Sequence, residues 1–162
     1  MSDNYDLQVL LELREREQEE AEDEYAQELA ELKRREDFVA KKRADLEAAV
    51  ARRREACARH DQRVSSGEAT LAQMNTFETY VSGLRSDELG IEESIERAQR
   101  AVEQQKEAIA RAKAELIEAT RELEAVVKHK DNWQEEQAAV QQRRQSAAMD
   151  EVAARRWMEK NQ

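Results

Sequence analysis

The 162-residue sequence contains no proline and only three glycines, at positions 67, 83 and 90. With these breakers nearly missing, little stops a helix once it has begun. Aromatic residues make up 4% of the chain, while charged residues make up 40%. That composition excludes an ordinary globular core and points to a long helix or coiled coil. Cysteine occurs once, at Cys57, so no intramolecular disulfide can form, and the thiol is expected as a small packing residue. No apolar run approaches the roughly 18 residues needed to cross a bilayer, and no signal peptide opens the chain. The expectation is a cytosolic protein with no direct membrane insertion.

Catalytic machinery is missing as well. Three scattered glycines cannot form a phosphate-cradling loop. His129 has no second metal-type residue at helical spacing, and His60 falls among packing positions. Carboxylates on an open helix surface give no dry acid–base site. The sequence therefore predicts no enzyme, no cofactor and no metal, and places function in surfaces.

Charge is abundant but unevenly placed. Residues 1–31 hold twelve acids and two bases; residues 32–64 hold eleven bases and six acids. The last twenty residues carry five bases and three acids, against a net charge of −10 for the chain. So acidic a protein is a poor match to nucleic acid.

A 3,4 spacing begun at Phe77 and run to Val140 meets nineteen positions, fifteen of them apolar. The exceptions are Glu88, Gln105, Lys130 and Gln137. Such persistence is a coiled-coil seam, which a disordered chain would not keep. The first half carries a weaker seam: Tyr25, Leu29, Leu32, Glu36, Val39, Arg43, Leu46, Val50, Arg53, Cys57, His60 and Val64. Leu7, Val9, Leu10, Leu11 and Leu13 precede it.

Between the seams lies "DQRVSSGEATLAQMN", the one stretch gathering Ser, Gly and Thr. Ser65-x-x-Glu68 and Thr70-x-x-Gln73 each read as a capping box, and Gly67 can take the positive φ that ends a helix. The reading is all-α: a single antiparallel two-helix coiled-coil hairpin over 1–162. Helix 1 would cover about 4–64, the turn about 65–69 and helix 2 about 70–158. Residue 7 would then sit near residue 127, leaving roughly the last 25–30 residues as an overhang. The competing arrangement is a structural scaffold, a parallel homodimer of long helices.

Two surfaces stand out. Met74, Phe77, Tyr80, Val81 and Leu84 follow the turn, and Tyr80 lies one step off the seam. Near the C-terminus, Met149, Val152, Ala153 and Trp157 form a short apolar stripe among Arg143, Arg144, Arg155 and Arg156. Exposed Trp and Met beside paired Arg is interface-like composition.

Four stretches carry a family likeness: "YDLQVLLELREREQEEAE", "NTFETYVSGL" just past the turn, "LEAVVKHKDNW" and "MDEVAARR". Together they resemble the central-stalk proteins of type III secretion export ATPases, the flagellar FliJ and injectisome YscO family. "KHKDNW" leans towards the injectisome members. The resemblance implies a hairpin similar to the shaft of rotary ATPases, acting at the cytoplasmic face of a secretion apparatus. Its terminal helices would insert into the pore of a hexameric secretion ATPase, stimulate it and link it to the export-gate membrane protein. Some members also bind substrate chaperones.

By position, the resemblance puts Met149, Asp150, Glu151, Val152, Arg155 and Arg156 at the ATPase, joined by Trp157 of the stripe. It puts Phe77, Tyr80 and Leu84 at the export gate or a chaperone. Two features depart from the family pattern. The region "AAVARRREACARHDQ" has no aromatic residue, and the first 31 residues are acidic.

Overall fold

The computed structural model describes residues 5–161. It contains two helices, α1 (Gln8–Ser65, 58 residues) and α2 (Leu71–Lys160, 90 residues). The turn between them occupies residues 66–70. The expected start of helix 1 at residue 4 lies outside the described residues.

The turn forms for local reasons. Gly67 has φ +73°, a conformation costly for a residue with a Cβ. The Glu68 N–H donates to the Arg63 carbonyl at 3.0 Å and the Gly67 N–H to that of Val64 at 3.1 Å. This is a Schellman closure, which satisfies the last carbonyls of α1. Two residues on, the Thr70 N–H donates to Gln73 Oε1 at 3.0 Å and the Gln73 N–H to Thr70 Oγ1 at 3.3 Å. That reciprocal box starts α2. The box expected at Ser65 and Glu68 does not form. Ser65 is the last residue of α1, and its hydroxyl donates back to the Asp61 carbonyl at 2.8 Å.

The contacts fall into two sets: Tyr25–Ala112, and the chain ends Met1–Glu24 with Lys113–Gln162. In the first set the helices run antiparallel. Moving up α1, Glu28 meets Gln105, Arg35 meets Ala101, Arg53 meets Glu88 and His60 meets Phe77. Its core is Val39, Ala98 and Val102, with Leu32 packed against them. Small residues of α2 let the helices approach. In the second set Tyr5 meets His129 and Trp133, Gln8 meets Lys130, and Arg14 meets Glu122, again antiparallel. Gln8 reaches α2 about one turn beyond the register expected from the turn position.

The seam of α2 is where the spacing put it: from Phe77 to Trp133 no member of the series is exposed. The weaker seam of α1 needs correction. Its row at 25, 32, 39, 46, 53 and 60 lies inside, but Leu29, Glu36, Arg43 and Val64 are exposed. Glu28, Arg35 and Lys42 lie further in and take the companion row. Their long stems cover the interface while their polar ends find partners on α2 or in water. The Arg35 guanidinium donates to the Ala101 carbonyl at 2.8 Å, and the Gln105 amide to the Glu28 carbonyl at 2.9 Å and to the Glu28 carboxylate.

Three of the four polar exceptions in the α2 seam, Glu88, Gln105 and Lys130, are therefore cross-helix partners rather than defects. Glu88 and Gln105 are buried, and each is bonded to α1. Arg53 Nε lies 2.6 Å from Glu88 Oε1, and this hydrogen bond raises the Arg53 pKa. Pairing a buried polar group on each helix penalises a slipped register, because any slip leaves both unpaired.

Candidate interaction site

The chain-end set is held by an aromatic cluster that starts with Tyr5, which the sequence reading did not single out. Tyr5 is buried, its hydroxyl is 2.7 Å from His129 Nδ1, and its ring is 5.5 Å from that of Trp133. Lys130 Nζ sits 6.0 Å from the Tyr5 ring centroid and donates to Gln8 Oε1 at 3.2 Å. The signal was present in the sequence: Lys130 and Trp133 were seam members without an assigned partner. Leu11 is buried beside this start, while Leu7, Val9 and Leu13 are exposed. Further along, Arg14 bridges Glu17 at 2.7 Å and Glu122 of α2; the bond to Glu17 comes first among the causes that raise its pKa.

Beyond Trp133 the pairing stops. Every residue from 134 to 161 is exposed, though α2 continues to Lys160. Its length matches the expected overhang. Met149 is 74% exposed and Trp157 68% exposed, with Val152 and Met158 also open. Asp150, Glu151, Arg155 and Arg156 are exposed on the same segment. The Arg155 guanidinium lies 2.5 Å from Glu151, one turn back. Met149, Val152 and Trp157 share one face by their spacing, and Met158 widens the apolar surface beyond the residues first picked out.

At the turn, Phe77 is half-buried and stacked on His60, with ring centroids 3.8 Å apart and planes 11° from parallel. Tyr80 is 51% exposed, and its ring lies 6.1 Å from that of Phe77. Leu84 is half-buried one turn further along α2. An open groove beside this end is lined by His60, Arg63, Ala72, Thr76, Phe77 and Tyr80. His60 thus packs as expected, and it supplies an aromatic ring from the first helix where the sequence had suggested none. Cys57 is a free, half-buried thiol.

Among the described residues, no three His, Cys, Asp or Glu side chains are grouped so as to hold a metal ion. No helix is long and apolar enough to cross a membrane. What the arrangement offers is a set of exposed apolar side chains on the unpaired end of α2 and, past the turn, the exposed Tyr80 beside half-buried Phe77 and Leu84.

No curated protein and no solved structure matches the chain. A family model, described as YscO-like protein, matches residues 2–162. The paired helices, the aromatic cluster at the turn and the unpaired end of α2 thus lie within that match, and the chain belongs to the YscO-like family, related to type III secretion.

Proposed function

We propose that this protein is the non-catalytic central stalk of a type III secretion export ATPase. It works at the cytoplasmic face of the apparatus. Its terminal helices enter the pore of the hexameric ATPase and stimulate hydrolysis. The end past the turn, through Phe77, Tyr80 and Leu84, faces the export-gate membrane protein or a substrate chaperone.

The observation that carries this reading is the unpaired end of α2. A helix that keeps its form over residues 134–160 while exposing Met149, Val152 and Trp157 leaves apolar area open to water. Burying it against a partner is favourable at about 25 cal/mol per Å². Trp and Arg are the residue types that most often dominate binding energy. Arg155 and Arg156 frame the Trp.

The test is ATP hydrolysis by the cognate export ATPase with and without this protein, together with co-sedimentation. Stimulation and co-migration are expected. Absence of both removes the proposal.

A further inference from the structure

Within the paired set Tyr25–Ala112, a groove opens between the helices that the stalk reading does not use. Its α1 wall is Glu31, Arg34, Arg35 and Phe38; its α2 wall is Ala98 and Ala101. The two alanines add little bulk, so the groove can admit a side chain from outside. Phe38 is 48% exposed at its edge. Lys42 Nζ lies 5.5 Å from the Phe38 ring centroid, so a cation already stands against this ring.

The charge here is opposite to that of the chain. Residues 32–43 hold six bases and two acids, in a protein of net charge −10. By helical spacing Arg34, Arg35, Lys41 and Lys42 share the side of Phe38, against Glu31 and Asp45. Arg97 adds a further base one turn before Ala101. Glu36 and Arg43 line a separate groove and do not count here. Both carboxylate oxygens of Glu31 are already engaged, one by Arg34 Nε at 2.8 Å and one by Arg35 Nε at 3.1 Å. Among the described residues, Lys41, Lys42 and Arg97 have no carboxylate partner. The surplus positive charge therefore faces outward beside an open aromatic ring.

We propose that this groove docks an acidic amphipathic helix of a partner protein. An apolar side chain of that helix lies over Ala98 and Ala101 against Phe38, as an anchor does in helix-in-groove recognition. Carboxylates beside the anchor meet Lys41, Lys42 and Arg97. The charge surplus selects an acidic occupant, since a basic helix would be repelled. Nucleic acid fits less well, because the twelve acids of residues 1–31 precede the groove and repel a long polyanion. Neither the C-terminal stripe nor Phe77, Tyr80 and Leu84 lines this groove, so the inference is independent of the stalk reading.

Fluorescence anisotropy with a labelled peptide tests it. The probe is a helical peptide of Glu and Ala with Leu at 3,4 spacing, and the control peptide has Lys in place of each Glu. The intact protein should bind the acidic peptide about tenfold or more tighter than the basic one, and added salt should weaken that binding. Phe38→Ala should weaken it about tenfold, as loss of an aromatic anchor does. Lys41→Glu combined with Arg97→Glu should weaken it as well. All three positions are exposed, so helix content by circular dichroism should be unchanged. Trp157→Ala should bind the peptide as the intact protein does. Failure to bind the acidic peptide, equal affinity for both peptides, or full affinity in Phe38→Ala overturns the proposal. So does tighter binding of a single-stranded oligonucleotide than of the acidic peptide.

Discussion

Arg53 and Glu88, 35 residues apart in sequence, face each other across the two helices with Nε and Oε1 2.6 Å apart, and the Glu88 residue is buried. Each interrupts the apolar series of its own helix. Together they form a hydrogen-bonded ion pair that only one register can make. Removing one partner strands the other, whereas removing both restores an apolar seam. Glu88→Leu should therefore lower the thermal midpoint, and Arg53→Leu combined with Glu88→Leu should recover it. Thermal melts followed by circular dichroism read both. Additive losses in the double variant would contradict this account of the pair.

The three glycines should respond in opposite directions. Gly67→Ala forces a Cβ into a positive φ and should cost about 1–2 kcal/mol. Gly83 and Gly90 lie within α2, and apart from the adjoining residues and the helix's own backbone nothing comes within 4 Å of the position a Cβ would take. Their replacement by Ala should each stabilise by about 0.5–1 kcal/mol, the helix-propensity difference. Chemical denaturation of the three variants distinguishes the turn glycine from the other two.

At the chain ends, Tyr5→Phe removes the hydroxyl bonded to His129 and keeps the ring against Trp133. The loss should be about 1 kcal/mol, the usual net worth of one such bond. Its effect should be local. Amide hydrogen exchange should speed up at the start of α1, with protection near Val39 unchanged.

Acid should weaken the paired helices partly through Glu31. Hydrogen bonds from Arg34 and then Arg35 hold its carboxyl below the usual carboxylate range. The folded protein binds that proton less readily than the unfolded chain. The contribution is therefore present above the ordinary Glu pKa and is lost as pH falls through the lower, folded-state value. Glu31→Gln should flatten the acid limb of the melting-temperature profile. Because about a third of the side chain is open to solvent, the change should be small and should shrink in salt.

Much of this architecture was legible in the residues. The spacing from Phe77 onwards located the inner face of α2, and Gly67 with Thr70 and Gln73 located the turn. Apolar periodicity misplaced four of the twelve α1 positions. Leu29 drew the series one position out of phase, while Glu28 and Arg35 pack by their stems and hydrogen-bond by their ends, which hydropathy scores as solvent-facing. Tyr5 was hidden differently. It precedes α1, and its burial depends on His129 and Trp133, more than 120 residues away. The exposed end of α2 could be anticipated because the first helix is too short to cover it.

The most direct test is the affinity of the cognate export ATPase for the intact protein and for the Trp157→Ala, Val152→Glu double variant. Both positions are exposed, so helix content should be the same in the two proteins. The account predicts binding at least tenfold weaker in the variant, about 1.4 kcal/mol or more. Equal affinity, with helix content unchanged, would contradict it.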